Sequence, residues 1–208
     1  ISNYAFSSSY ILESISIPNS VTSIGQYAFY NCSNLISITV KDDNTNYQST
    51  DGVLFSKSQD TLIKYPPKQA NQSYTIPDSV TSIEDYAFQS SSNLINISIP
   101  YGVKSIGKYV FDDCPNLKSI TVDSENKDYL SNDDVLFSFG LNDLIKYSPN
   151  KDDKAYSIPN GTKVISSHSF QYCNNLESVT IPDSVYQIED NAFSSCSTLT
   201  TLYYNGDK

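Results

Sequence analysis

The sequence predicts a mainly β solenoid, a stack of 23-residue coils, because of two spacings. The first is a pattern of Pro, Ser, Val, Ile, Ala-Phe, Cys, Leu and Ile that returns every 23 residues along most of the 208-residue chain. The second is an offset of 82 residues between two long inserts with matching Tyr, Val, Phe, Leu and Ile positions. Recurrence at periods of about 20 to 50 residues is the signature of stacked repeats and outweighs any single local motif.

The repeats fall in phase along the whole chain. Residues 1–17 match the second half of one copy, so we expect the chain to be a piece of a longer protein that begins in mid-repeat. Because a repeat array is one continuous stack whatever its length, residues 1–208 are predicted to form a single domain. The later copies begin at the same proline of the pattern: Pro18, Pro77, Pro100, Pro159 and Pro182.

The end of each repeat predicts a short strand. Apolar and polar residues alternate there, as in Ile38-Thr39-Val40, which is typical of a strand with one buried face. The β-branched residues favour strand over helix, and the Pro that follows ends the pairing because it has no N–H. A second extended segment, S-V-x-x-I, and a tight turn or single 3₁₀ turn at Ala-Phe complete the coil.

The Phe of each Ala-Phe pair is the largest side chain predicted to point inward. A lone repeat buries too little to fold, so we expect these rings to form a continuous aromatic spine through the stacked coils. They are Phe6, Phe29, Phe88, Phe111, Phe170 and Phe193.

One slot of the repeat takes either Cys or Ser, which predicts a small, buried, weakly polar site with a free thiol that caps a backbone group. Cys173 and Cys196 lie in consecutive repeats, where a disulfide is also within reach, and the sequence leaves that alternative open. The occupants of the slot are Ser9, Cys32, Ser91, Cys114, Cys173 and Cys196.

The two inserts, residues 41–76 and 123–158, each predict a β-hairpin that projects from the stack. A further strand at the end of each insert, Tyr74–Ile76 or Tyr156–Ile158, is expected to rejoin the stack. The hairpin strands are Gly52–Phe55 with Thr61–Tyr65, and Asp134–Phe137 with Asp143–Tyr147.

The repeat, with the D-G-V-L-F and T-L-I-x-Y-P elements of the first insert, resembles the Treponema-type leucine-rich repeats of BspA-like surface proteins from anaerobic bacteria and parasitic protists. The resemblance covers residues 1 to about 204. It implies a right-handed, curved solenoid with a parallel sheet along its concave side. It also implies an extracellular or cell-surface location and the roles of adhesin or host-matrix binder. Departures at Val110, Thr162 and Ser169 point to weaker local packing.

The charge excludes some partners. The net charge is -10, with 23 acidic residues against 13 basic ones, and every basic residue is Lys. Nucleic acids and anionic membrane surfaces are bound through basic side chains, so neither is a predicted partner. No apolar run approaches the length of about 20 residues that a membrane helix needs, so no membrane insertion is expected within this chain.

Polar side chains alternate with the buried ones along the strands and are expected to form two outward columns. The columns are predicted to hold an extracellular protein or glycan, although Ser and Thr also simply suit an exposed sheet. Tyr27, Tyr86 and Tyr109 are expected to be partly exposed elsewhere on the coil. The candidate ligand-binding residues are Ser37, Thr39, Asn96, Ser98, Ser119, Thr121, Ser178 and Thr180.

No catalytic, metal or cofactor site is predicted. Six adjacent acidic pairs read as solvated turns, and Asp42-x-Asn44-x-Asn46 lacks the Gly and Glu of a calcium loop. His168, the single histidine, is expected to be a surface side chain, since no nucleophile elbow accompanies it. The sequence therefore predicts a non-catalytic binding module. The alternative is a structural or intracellular scaffold that self-associates through its solenoid ends.

Overall fold

The computed structural model describes residues 1–205 and contains 18 short strands in that range. The described residues hold one helix, a 3₁₀ turn at Phe139–Leu141. No helix in them has the length and hydrophobicity needed to cross a bilayer. In chain order the strands are β1 Ser14–Ile17, β2 Ser37–Val40, β3 Tyr47–Thr50, β4 Val53–Ser56, β5 Thr61–Lys64, β6 Ser73–Thr75, β7 Ser82–Ile83, β8 Asn96–Ile99, β9 Ser105–Ile106, β10 Ser119–Val122, β11 Tyr129–Asn132, β12 Val135–Ser138, β13 Asp143–Lys146, β14 Ala155–Ser157, β15 Val164–Ile165, β16 Ser178–Ile181, β17 Gln187–Ile188 and β18 Thr201–Tyr204.

The chain divides into two compact units, and both are built from the same short β coils. That residues 1–208 form a single solenoid stays a prediction, and residues 206–208 lie outside the described part. Unit 1 comprises Ile1–Gln72, Ile76–Leu94 and Gly102–Cys114, whereas unit 2 comprises Ser73–Thr75, Ile95–Tyr101 and the chain from Pro115 onward.

In unit 1 the strand that ends one repeat lies parallel to its copy in the next. β1 pairs with β2 so that Ile15 faces Ile38, one repeat further along. A second sheet has the order β3-β4-β5-β7-β9. Its two-residue strands β7 and β9 come from the S-V-x-x-I segment and place Ile83 beside Ile106. The extended segment predicted from the sequence thus forms a second row of parallel pairing.

Unit 2 repeats this plan. Two parallel sheets, β10-β8-β6 and β14-β16-β18, contain the repeat-ending strands, and the sheet β11-β12-β13-β15-β17 contains the second insert. In the first of these sheets Ile97 of β8 faces Ile120 of β10. In the second, Val179 of β16 faces Leu202 of β18. The predicted strands, their parallel pairing and the 23-residue register are confirmed.

The Ala-Phe turns stack through backbone hydrogen bonds from coil to coil. In unit 1 the N–H of Tyr86 donates to the carbonyl of Lys108 at 3.1 Å, and the N–H of Phe88 donates to that of Val110 at 3.0 Å. Each turn has left-handed backbone two residues before and two residues after its Phe, for example at Tyr86 (φ 57°) and Ser90 (φ 62°). A non-glycine residue in this region costs about 1 to 3 kcal/mol, which the packing of the turn has to offset.

The aromatic spine is present, but tyrosine completes it. The Phe88 and Phe111 rings lie 5.5 Å apart, and the Phe170 and Phe193 rings 4.7 Å apart. In the first insert the ring of Tyr65 stacks at 5.2 Å from Phe88, where a standard repeat would supply Phe. Tyr147 stands at 5.2 Å from Phe170 in the second insert. A spine of Phe alone was therefore the wrong expectation for the insert coils.

The hairpins of the inserts do not project from the coils. β4 and β5 pair antiparallel as predicted, but β5 then pairs parallel with β7 and so joins the sheet of the repeats. Val53, Leu54 and Phe55 are all buried, because both faces of β4 are covered. A further strand, β3, pairs with β4 and was missed from the sequence. β11, β12 and β13 repeat the arrangement in unit 2.

The Cys slot is as predicted. All four thiols are free, so the disulfide between Cys173 and Cys196 is absent. The thiol of Cys32 donates to the carbonyl of Phe6 at 3.0 Å, and that of Cys114 donates to the carbonyl of Phe88 at 3.1 Å. The slot therefore ties one Ala-Phe turn to the turn of the preceding coil.

Candidate functional site

The predicted outward columns exist as in-register rows on three parallel sheets. In unit 1, Ser37 and Thr39 of β2 continue the rows that begin in β1. Since each strand is offset from the previous one by a whole repeat, the same repeat position recurs in every rung. In unit 2 the rungs are Asn96 and Ser98 in β8, Ser119 and Thr121 in β10, and Ser178 and Thr180 in β16.

Two of the predicted residues are covered by the inserts. A Cβ atom on Gly52 would lie 3.2 Å from the Cβ of Ser37, and the N–H of Ile38 donates to the Gly52 carbonyl at 2.9 Å. In unit 2 the hydroxyl of Ser119 donates to the carboxylate of Asp134, with 2.5 Å between the oxygens. The turn of each insert therefore lies against the strand before it, and neither serine belongs to an open surface.

Four other predicted residues make hydrogen bonds to neighbouring groups. The hydroxyl of Thr121 donates to the hydroxyl of Ser98 at 3.1 Å, and the amide of Asn96 donates to the hydroxyl of Ser73 at 3.0 Å. Hydrogen bonds of this kind along a column stabilise the sheet. On β6-β8-β10 the structural role of these side chains is thus directly visible. Thr39, in unit 1, donates to the carbonyl of Ile15 at 3.4 Å.

The sheet β14-β16-β18 is different. Within residues 1–205 the hydroxyls of Ser178 and Thr180 make no hydrogen bond, although both side chains are partly exposed. Thr180 lies between Ser157 of β14 and Tyr203 of β18, and Tyr203 is 55% exposed. Free hydroxyls beside an exposed tyrosine make this column the best candidate for a ligand-binding surface among the predicted ones.

A second candidate, in unit 1, was missed from the sequence. The half-buried rings of Tyr27, Tyr86 and Tyr109 occupy equivalent positions of their repeats, which confirms their predicted partial exposure. The ring centroids of Tyr27 and Tyr86 lie 5.3 Å apart, and those of Tyr86 and Tyr109 lie 5.1 Å apart. Tyr30 adds an edge-on contact to Tyr86 at 5.0 Å. The recurrence of Tyr at one position of the repeat was the sequence signal that could have indicated this cluster.

The tyrosines border a pocket of about 310 Å³ in unit 1. Polar groups of Lys64, Glu84 and Asp85 line it together with the rings. Lys64 is only 4% exposed, and its ammonium donates to the carbonyl of Tyr86 at 2.9 Å. No carboxylate of the described residues lies within ion-pairing distance of this ammonium.

Burial shifts the pKa values of the titratable side chains that line the pocket. Burial lowers the pKa of Lys64 from 10.5 to about 8, since the charged ammonium is taken out of water. Burial, with the negative charge of Asp85 beside it, raises the pKa of Glu84. Burial also raises the pKa of Tyr86 above its ordinary value. The pocket thus presents donors and acceptors side by side.

The residues weighed for metal chemistry have structural positions. Described residues contain no group of three or more His, Cys, Asp or Glu side chains that could hold a metal ion. In the calcium-like segment, Asn44 is buried and its side-chain oxygen accepts the N–H groups of Asn46 and Tyr47 at 2.9 Å. His168 lies in a turn with φ 57° and is partly exposed.

The repeats match the family model described as the BspA type leucine rich repeat region, in six copies over residues 1–128 and 150–207. The chain belongs to this family. The family match covers the standard repeats on both sides of the second insert, and it confirms the resemblance drawn from the sequence. A comparison with curated proteins gave no match.

Solved structures give the same fold. A leucine rich cell surface protein from Faecalibacterium prausnitzii is 33% identical, with a TM-score of 0.66 over 95% of this chain and 49% of that one. The pneumococcal vaccine antigen PcpA is 26% identical, with a TM-score of 0.62 over 93% of this chain and 40% of that one. A leucine-rich repeat protein from Eubacterium ventriosum, 24% identical over 98% of this chain and 57% of that one, shares the fold with a TM-score of 0.64. The chain thus spans between 40% and 57% of the length of these three proteins.

Proposed function

We propose that this chain is a non-catalytic binding module of a secreted or surface-anchored bacterial protein, and that it captures a protein ligand in the manner of an adhesin. Its family and its similarity to a protein described as a cell surface protein support the location. Solenoids of stacked repeats offer extended surfaces for macromolecular partners.

The observation that carries the proposal is the free column on β14-β16-β18. Ser178 and Thr180 have hydroxyls without partners among the described residues, and the neighbouring Tyr203 is exposed. Tyrosine is enriched at protein interfaces because its ring supplies contact area and its hydroxyl supplies a hydrogen bond. Of the other predicted residues, Ser37 and Ser119 lie against an insert, and the side chains of Thr39, Asn96, Ser98 and Thr121 make hydrogen bonds within their sheets.

The test is capture of purified extracellular-matrix proteins on a sensor surface. The double variant Ser178→Lys with Thr180→Lys places two long cations on the column and is expected to abolish the capture that the unchanged chain shows. The control, Ser124→Lys with Asn160→Lys, adds the same charge at exposed turns of the same unit. It is expected to bind like the unchanged chain.

Undiminished capture by the column variant would overturn the assignment of the surface. Inhibition of capture by soluble glycans, with no capture of deglycosylated matrix proteins, would replace the protein ligand by a glycan. Sedimentation separates the adhesin from the self-associating scaffold: a monomer that captures matrix proteins supports the adhesin, whereas growth with protein concentration and no capture contradicts it.

A further inference from the structure

The first insert interrupts the stack of Ala-Phe turns in unit 1. Its Tyr65 takes the place of Phe and donates its N–H to the carbonyl of Ala87 at 2.9 Å, as a standard repeat would. The chain then continues into Pro66-Pro67 and a turn in which the N–H of Gln69 donates to the carbonyl of Pro66 at 3.1 Å, so the insert coil has no turn of the Ala-Phe type. The turn that contains Tyr27 consequently has no neighbouring Ala-Phe turn from the next coil.

The missing turn leaves donors without their usual acceptors. In the preceding coil the N–H groups of Tyr4 and Phe6 donate to carbonyls of this turn at 3.0 and 2.9 Å. The corresponding N–H groups of Tyr27 and Phe29 donate to no atom within residues 1–205. An N–H without an acceptor in the protein is satisfied by water or by a ligand, so both groups can donate to an external acceptor.

Side chains partly fill the space left by the missing Ala-Phe turn. The N–H of Asn31, the third donor of this turn, is met at 3.0 Å by the side-chain oxygen of Gln89 from the repeat beyond the insert. Lys64 uses one of its three N–H groups on the carbonyl of Tyr86. What remains open between these bridges is the pocket of about 310 Å³.

We propose that this pocket binds one or two neutral pyranose rings of a glycan. A pyranose has an apolar C–H face and a rim of hydroxyls. The faces of tyrosine rings are electronegative and attract C–H groups, and the rings of Tyr27, Tyr30 and Tyr86, which pack edge to face against one another, border the pocket. Each sugar hydroxyl both donates and accepts, which suits a pocket lined by Lys64, by Glu84 and by Tyr27 and Phe29 with their two free N–H groups.

The size and charge of the pocket disfavour other ligands. Its volume lies at the lower end of the range of about 300 to 1,000 Å³ for ligand pockets, which suits a short saccharide. Glu84 and Asp85 oppose an anion, and the ammonium of Lys64 opposes a cation.

The experiment is saturation-transfer NMR of the whole chain with the methyl glycosides of glucose, galactose, mannose and N-acetylglucosamine. At least one glycoside is expected to receive saturation on its ring C–H protons. It is also expected to shift the backbone amide signals of Tyr27 and Phe29. Absence of binding by all four glycosides at millimolar concentration would overturn the proposal, as would competition by an unglycosylated peptide.

Variants locate the site. Tyr27→Ala and Glu84→Gln are each expected to weaken sugar binding by tenfold or more, because one removes a stacking ring and the other an acceptor charge. Tyr101→Ala, which removes an exposed tyrosine in unit 2, is the matched control and is expected to leave binding unchanged. If Tyr27→Ala does not fold, Glu84→Gln decides alone, since it keeps the size of the side chain and removes only the charge.

Binding that survives both pocket variants would place the sugar elsewhere and end the proposal. The pocket shares no residue with the column on β14-β16-β18. The sugar test can therefore fail while capture of matrix proteins succeeds, and the reverse result is equally distinguishable.

Discussion

Phe88 shows how much of the stability rests on single residues. Its side chain is fully buried between Tyr65 and Phe111. Phe88→Ala removes most of a ring from this stack and is expected to cost about 3 to 5 kcal/mol, measured as a lower urea midpoint. Phe139→Ala, which truncates a ring that is 55% exposed, is the control and should change the midpoint little. Equal midpoints for Phe88→Ala and the unchanged chain would contradict the burial of the spine.

Thr162 illustrates the opposite case, a residue that weakens its own repeat. It is fully buried where four other repeats have Val, and its hydroxyl has no hydrogen-bond partner among the described residues. Thr162→Val removes an unsatisfied polar group without changing the shape, so we expect a gain of about 1 to 2 kcal/mol. The midpoint of urea unfolding measures it.

The reciprocal change is the control for that gain. Val80 is fully buried at the same repeat position in unit 1. Val80→Thr is expected to lower stability by about 1 to 3 kcal/mol, since it introduces a buried hydroxyl. A loss of stability in Thr162→Val would show instead that its hydroxyl has a partner. Ser169, another predicted departure, also buries a hydroxyl without a partner in residues 1–205.

At the scale of elements, the strands, their register and the free thiols could be predicted because each repeats with the sequence. The docking of the hairpins could not be predicted from the hairpin pattern alone. The consecutive apolar residues Val53, Leu54 and Phe55 were nevertheless a usable signal, because a strand with one exposed face alternates. The left-handed turn residues, such as Tyr27 and Tyr86, had no such signal, since their conformation is imposed by the stacked backbone.

The pocket could not be predicted for a related reason. The pocket forms because the insert coil lacks the Ala-Phe turn that a standard repeat would have. A periodic sequence pattern does not show which side chains fill the space of a missing turn. The bridging residues Lys64 and Gln89 are polar residues in otherwise apolar surroundings, and both are buried. On the other candidate surface, the alternation of polar and apolar residues predicted which side chains point outward, but only the structure separates the engaged hydroxyls from the free ones.

Lys64 makes the free energy of unfolding depend on pH. Its pKa is about 8 in the folded chain and 10.5 ordinarily. Between these values the unfolded chain holds a proton that the folded chain has released, so the contribution of Lys64 to stability rises with pH across this window. We expect the free energy of unfolding of the unchanged chain, minus that of Lys64→Met, to increase by about 2 kcal/mol from about pH 7 to about pH 9.5.

Urea unfolding at each pH measures this difference. Lys57→Met, at an exposed position of the same insert, is the control and is expected to give a flat difference over the same range. A flat difference for Lys64→Met as well would mean that the ammonium of Lys64 remains hydrated in the folded chain.

The charge of the whole chain bears on which ligands reach it. The net charge of -10 repels anionic partners and attracts cationic ones, but the outward column on β14-β16-β18 consists of uncharged residues. A ligand that binds there makes its contacts through hydroxyls and the Tyr203 ring. Salt screens interactions between exposed charges and leaves such contacts nearly unchanged.

Capture of a matrix protein by this column is therefore expected to be almost insensitive to salt. Between about 0.05 M and about 0.5 M NaCl the dissociation constant should change by less than about threefold, because the Debye length shortens without removing a contact. Titration on the sensor surface at several salt concentrations measures this. A loss of affinity of tenfold or more would place the ligand on the acidic turns instead, since only charge pairing there weakens so steeply.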